Sequence, residues 1–264
     1  MKILLIPLIL LVFIGYVQAH GDDLDDTNSL RENMSEAVLN TMYISIIIIL
    51  ISTLISIFYE KKVKKYKRIL FLSIAIPAII TTLVLSISTI YLNSISDTKG
   101  PVHWHADFEI WNCGKKVEIK DPEGFSNRVG SAVFHEHNDN RIHVEGVLID
   151  TEEASLDNFF HTIGGDLHDE GFKVPTEKGF TTVKNNDLCN GKPSALQVFV
   201  YKTKGNRYYQ EKLDHFDEYV LSPYSEVPPG DCIIIEFDSG IKEKTNHICN
   251  TYKIAIEKGD IYGS

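Results

Sequence analysis

The sequence predicts an α+β protein in which a membrane anchor precedes a mostly antiparallel β domain. A β-grasp-like arrangement is the expected form of that domain and a β-sandwich or barrel its rival. Three observations predict this. The first hundred residues hold apolar runs of membrane-spanning length. Later residues form short alternating segments punctuated by Gly, Asn and Pro. All four cysteines, Cys113, Cys189, Cys232 and Cys249, fall in that later part.

The N-terminus reads MKILLIPLILLVFIGYVQAHGDD, with Lys2 before an apolar run over 3–17 and small residues at Val17 and Ala19. This predicts a signal peptide over 1–19, cleaved before His20. The alternative is an uncleaved first membrane helix. Residues 20–40 are acidic and polar, expected as a flexible extracellular segment that becomes helical towards the first span. Asn33-Met34-Ser35 matches the N-glycosylation acceptor pattern.

Runs over 42–59 and 69–91, the second containing Pro77, predict a two-helix transmembrane hairpin within 41–95. The loop 60–68 carries Lys61, Lys62, Lys64, Lys65, Lys67 and Arg68. The positive-inside rule therefore puts the loop in the cytoplasm and both hairpin ends outside. The expected location is the cell membrane, multi-pass, with the C-terminal domain extracellular.

Residues 97–264 would form that outer domain. They carry 18 Lys or Arg against 29 Asp or Glu, a net charge of −11, which argues against nucleic acid as a partner and suits cations. In an oxidising compartment the four cysteines are expected to form two disulfides, three connectivities being open. Without a C-x-x-C motif they read as staples, not as a thiol-exchange centre.

Strands are expected at HWHADFEIW and KKVEI, at SAVFHEH and RIHVEGVLI around Asn138-Asp139-Asn140, at ALQVFVY and RYYQEKL, and at CIIIEF after Pro228-Pro229-Gly230-Asp231. Helices are expected at SLDNFFHTIGG, capped by Ser155, and at KLDHFDEYVL.

Nine of ten histidines lie in this domain, five between His103 and His143. On a strand, alternation points His103, His105, Asp107 and Glu109 to one side and Trp104, Ala106, Phe108 and Ile110 to the other. If residues 138–140 form a three-residue loop, His135 faces His143, His137 faces Arg141, and all three histidines share a face; a two-residue loop would separate them. The candidate metal ligands are His103, His105, Asp107, His135, His137, His143 and Glu145. Imidazole-rich sets suit transition metals, with zinc or copper expected here. His161, His168, His215 and His247 lack the pattern and read as ordinary surface or packing residues.

The reading is thus a membrane-anchored cell-surface domain that binds a transition metal through histidines on adjacent strands. The alternatives are a metal-dependent enzyme of cupin-like or hydrolytic type and a structural or interaction module. The first half of the cupin motif is matched by His103-x-His105 and Glu109, but the following glycine, Gly114, comes too early. No nucleophile elbow, phosphate-binding loop or His-Glu-x-x-His helix is present.

Together HWHADFEIW, HEHNDNRIHVEG and SLDNFF resemble a group of uncharacterised membrane-anchored or secreted proteins of archaea and little-studied bacteria, over roughly residues 100–240. The resemblance implies a His-x-His-Ala-Asp-Phe strand followed by a His-rich hairpin and a short helix. It carries over to His103, His105, Asp107, His135, His137 and His143. Where the related hairpin ends in a further His-x-His, this chain has His143-Val144-Glu145, which implies a smaller shell or one containing a carboxylate.

Overall fold

A computed structural model describes residues 26–59, 64–123, 127–221, 228 and 230–263. The expected signal peptide, residues 20–25 of the acidic segment and residues 60–63 of the basic loop lie outside these. The chain divides into two units, residues 1–89 and 90–264.

In the first unit, helices α1 (Asp26–Phe58) and α2 (Lys67–Ile95) are both long and apolar enough to cross a membrane. Their seam is polar. Ser52 and Ser73 share a hydroxyl hydrogen bond of 2.8 Å, Thr81 donates to Ser45 at 2.8 Å, and Ser45 donates to the Pro77 carbonyl at 3.4 Å. Ser45 and Ser52 are buried while Ile47, Leu50, Ile51 and Leu54 are exposed. Apolar side chains outside and hydroxyls inside suit a lipid environment, where polar pairs hold helices together. α2 continues through Pro77. Helix α1 already begins at Asp26, so the helical part of the acidic segment spans residues 26–40. Extending an existing long helix costs far less than nucleating one.

The second unit is built on one large sheet. Its strands are β1 (Val102–Asn112), β2 (Lys115–Val117), β3 (Val129–Gly130), β4 (Phe134–Glu136), β5 (Arg141–Gly146), β9 (Leu188–Cys189), β10 (Lys192–Lys204), β11 (Arg207–Leu213), β12 (Asp231–Ser239) and β13 (Tyr262–Gly263). The order is β13-β11-β10-β12-β1-β5-β4-β3, with β2 on β1 and β9 on β10. Most pairs are antiparallel, but the central β1–β12 pair is parallel, Ala106 facing Asp231 through Asn112 facing Phe237. Strands β6 (Asp166–His168), β7 (Gly171–Thr176) and β8 (Gly179–Lys184) form a separate three-stranded sheet.

Each face of the large sheet carries its own core. On one, Ala106, Phe108 and Ile110 pack with Phe159 and Phe160 of α3 (Leu156–Thr162) and with Phe172 and Val174 of β7. Burying each phenylalanine stabilises by about 2 kcal/mol. The Ser155 hydroxyl caps α3 by accepting from the Asn158 N–H at 3.3 Å. On the other face, Phe199, Tyr201 and Ile234 pack with Tyr252 and Ala255 of α4 (Asn250–Lys258). The cysteines pair as Cys113–Cys189 and Cys232–Cys249, the second fixing the start of α4 to β12.

Two further expectations are corrected. The segment KLDHFDEYVL is not helical: its first residues finish β11 and the rest is irregular. Its apolar spacing serves anchoring, with Phe216 and Leu221 buried. Its backbone is committed elsewhere, since the Tyr219 and Asp217 carbonyls accept from the Leu156 and Asp157 N–H groups at the start of α3. Nor is the polar side of β1 open along its whole length. Asp107 and Glu109 are both buried, because α4 and its approach pack over that half of the strand.

Candidate metal centre

The histidines are placed by register. β1 pairs β5 with His103 facing Glu145, His105 facing His143 and Asp107 facing Arg141. β5 pairs β4 with His143 facing His135. His105, His143 and His135 thus form one row across three adjacent strands, whose spacing of roughly 4.8 Å brings neighbouring rings into contact. The loop at residues 138–140 has the length this register requires. Asn138 and Asn140 take left-handed conformations (φ 65° and 56°), tolerated by asparagine. Buried Glu136 accepts from the Asp139 and Asn140 N–H groups at 2.6 and 3.0 Å and holds the loop shut.

Five imidazoles result in one contiguous group. Centroids are 4.6 Å apart for His103–His105, 4.8 Å for His105–His143, 4.8 Å for His137–His143 and 4.7 Å for His135–His137. Two sets of three, His103–His105–His143 and His135–His137–His143, each offer ligand atoms within 4.8 Å of one another. A tetrahedral zinc with bonds of about 2.0–2.1 Å needs nitrogens roughly 3.3 Å apart, so small ring rotations would close either set. The described residues fit such an ion in chemistry as well as spacing. Nδ1 of His135 and Nδ1 of His143 are buried with no hydrogen-bond partner among the described residues.

The surroundings lower the basicity of His105, His135 and His143. Burial, then the neighbouring His143, His103 and Arg141, push His105 down to about 4, against a smaller opposing pull from Asp107. His135 is lowered by burial and by His137. His143 is lowered chiefly by burial, which outweighs its bond to Asp139. His137 Nδ1 lies 2.5 Å from the Asn127 carbonyl. A carbonyl only accepts, so the neutral ring carries its hydrogen on Nδ1 and presents Nε2 as the lone pair.

Against protein-family models, curated proteins and solved structures, the chain has no significant match.

Of the remaining sequence candidates, Glu145 lies beside the cluster, its carboxylate 3.3 Å from His103 Nε2 and 3.9 Å from His135 Nε2. Asp107 belongs to neither set. It accepts from Arg141 Nε at 2.6 Å and from the Thr251 hydroxyl, which occupies both carboxylate oxygens. Glu109, on the same side of β1, accepts from Trp111 Nε1 at 3.0 Å. Asn33 lies exposed on α1.

A third set of potential ligands, Asp157, His161 and Asp166, also comes within 4.8 Å. Burial and the nearby Asp166 and Asp217 raise Asp157, against an opposing effect from His161. His161, expected as an ordinary surface or packing residue, is one of this set. The spacing of Asp157 and His161, four apart on a helix, was the available signal.

Proposed function

We propose that this protein is a membrane-anchored cell-surface domain that binds a transition metal, zinc or copper, through histidines on adjacent strands. The observation carrying this reading is the pair of buried ring nitrogens on His135 and His143, without partners among the described residues, inside sets of three imidazoles. A buried polar atom without a partner costs about 1–3 kcal/mol, and ligation by an ion removes that cost. Depressed imidazole basicity adds support, because only unprotonated rings ligate.

The cell-surface part of the proposal rests on separate supports. They are the signal-peptide pattern over 1–19, the basic loop 60–68 between two membrane-length helices, and two disulfides in residues 97–264. The parallel central pair β1–β12 favours a β-grasp-like description, and the His-x-His-Ala-Asp-Phe strand favours kinship with the membrane-anchored group it resembles.

The test is metal analysis of the full chain purified in detergent. We expect close to one zinc or copper ion per chain, lost in His143→Ala. Ion-free protein that stays ion-free on titration with either metal would overturn the reading. Protease access on intact cells tests the topology, and a protected C-terminal domain would overturn that part.

A further inference from the structure

His143 belongs to both three-histidine sets, yet it has one lone pair to give. Its Nε2 lies 3.4 Å from the Asp139 carboxylate, which only accepts, so the neutral ring carries its hydrogen there and presents its lone pair at Nδ1. That Nδ1 is the atom buried without a partner. One lone pair holds one ion, so the two sets are alternatives for a single ion.

The sets differ in access. The His103 side chain is 63% exposed, that of His143 12% and that of His135 1%. The rings thus run from His103 at the surface to His135 in the interior, with His105, His137 and His143 half-buried between them. Glu145 touches both ends, one oxygen near His103 and the other near His135.

Resting on the metal-binding reading above, we propose that the cluster is a loading path. An ion is captured at His103–His105–His143 and handed to His135–His137–His143, with His143 staying bound throughout. In the handover two metal–nitrogen bonds, to His103 and His105, break as two form to His135 and His137. The exchange replaces one pair of ring nitrogens by another, each binding through its lone pair, so the step itself transfers no proton or electron. Keeping His143 bound, with the Glu145 carboxylate beside either end, spares the ion a return to full hydration between the two sets. The buried set retains the ion, because there both His135 and His143 gain a partner for an otherwise orphaned nitrogen.

This arrangement has a kinetic signature. If the inner set holds the ion at equilibrium, the outer set alters how fast it enters and leaves but not how tightly it is held. The experiment uses the full chain in detergent with zinc alone, a chromophoric chelator reporting affinity and stopped-flow mixing reporting rates. Wild type should bind one zinc. His103→Ala with His105→Ala should still bind one zinc with affinity changed by less than about threefold, while loading and release both slow by about tenfold, a barrier rise near 1.4 kcal/mol. His135→Ala with His137→Ala should bind one zinc weakly, with affinity down on the order of 100-fold, and release it fast. His103→Ala alone, at an exposed position that leaves the fold intact, should slow both rates in the same ratio.

Two zinc ions per wild-type chain, one lost in the His103/His105 double variant and the other in the His135/His137 double variant, would overturn the proposal, as would unchanged rates in the His103 single variant. So would loss of all binding in a folded His103/His105 double variant. Absence of zinc binding by wild type would instead overturn the metal-binding reading itself, so the two failures are distinct.

Discussion

The rings of His135 and His143 lie almost parallel, 3° between planes and 5.5 Å between centroids, and each has its Nδ1 buried without a partner among the described residues. Their directly opposed positions on β4 and β5 produce this stacking. Two charged imidazoles at that distance, with His137 and His105 beside them, would repel one another in a poorly solvated setting. The cluster is therefore built for the neutral form.

A pH dependence follows for the metal-free protein. His105 sits at about 4 in the fold against 6.5 in the unfolded chain, and His135 and His143 shift the same way. Between those values the unfolded chain binds protons that the folded chain does not. Stability therefore rises with pH across the window and is lost as pH falls from about 6.5 towards 4. Denaturation midpoints measured from about pH 4 to 8 should drop on the acid side, and His105→Gln should flatten the slope. An equal slope in that variant would count against the assignment.

Gly230 is the backbone partner of the outer set. It has φ 80°, and a Cβ there would overlap the His105 carbonyl and crowd the Ala106 Cα. Both obstacles are backbone in a central strand and cannot rotate away. Gly230→Ala should destabilise the domain by about 2–4 kcal/mol, combining left-handed strain with displacement of β1. It should also slow zinc loading more than Gly205→Ala, at a turn where a Cβ meets nothing within 4 Å. Thermal unfolding beside the rate of zinc loading for the two variants is the comparison.

The Cys232–Cys249 bridge closes a short loop, 17 residues apart in sequence, and ties α4 across Asp107. Replacing both cysteines by serine should cost about 3 kcal/mol by loop-closure entropy. His135 and His143 lie on β4 and β5, separated from β12 by β1, so metal affinity should change little. Denaturant unfolding under non-reducing conditions measures the first, and chelator competition the second.

What the sequence made legible was local. Alternation placed His103 and His105 on one side of β1, and the length of the 138–140 loop fixed which histidines oppose one another. Pairing across long separations was not legible. β12, the parallel neighbour of β1, lies more than a hundred residues further on, and α4 follows it. Its few apolar anchors, Tyr252 and Ala255, make a weak periodic signal, yet the helix they dock sets the Thr251 hydroxyl on Asp107. Disulfide connectivity depends on that same docking. The segment KLDHFDEYVL misled because its helix-like spacing recorded two core anchors, while its carbonyls went to the start of α3.

Asp107 gives the sharpest separation between a ligand and a neighbour of ligands. By strand alternation it follows His105 on the same side and has the chemistry of a metal-binding oxygen. Its oxygens are taken instead by Arg141 Nε and the Thr251 hydroxyl, which link β5 and α4 to β1. Removing one partner of a mostly buried ion pair leaves the other uncompensated, at roughly 3 kcal/mol for a site such as this, where Arg141 keeps some solvent contact. Asp107→Ala should therefore lower the unfolding midpoint strongly. Asp107→Asn keeps the shape and a hydrogen-bond acceptor and should recover part of the loss. If Asp107 only braces the strand, both variants retain metal at neutral pH with near-normal affinity, unlike His143→Ala. Loss of the ion in folded Asp107→Asn would return the carboxylate to the ligand set, which makes metal content at matched folded fraction the deciding measurement.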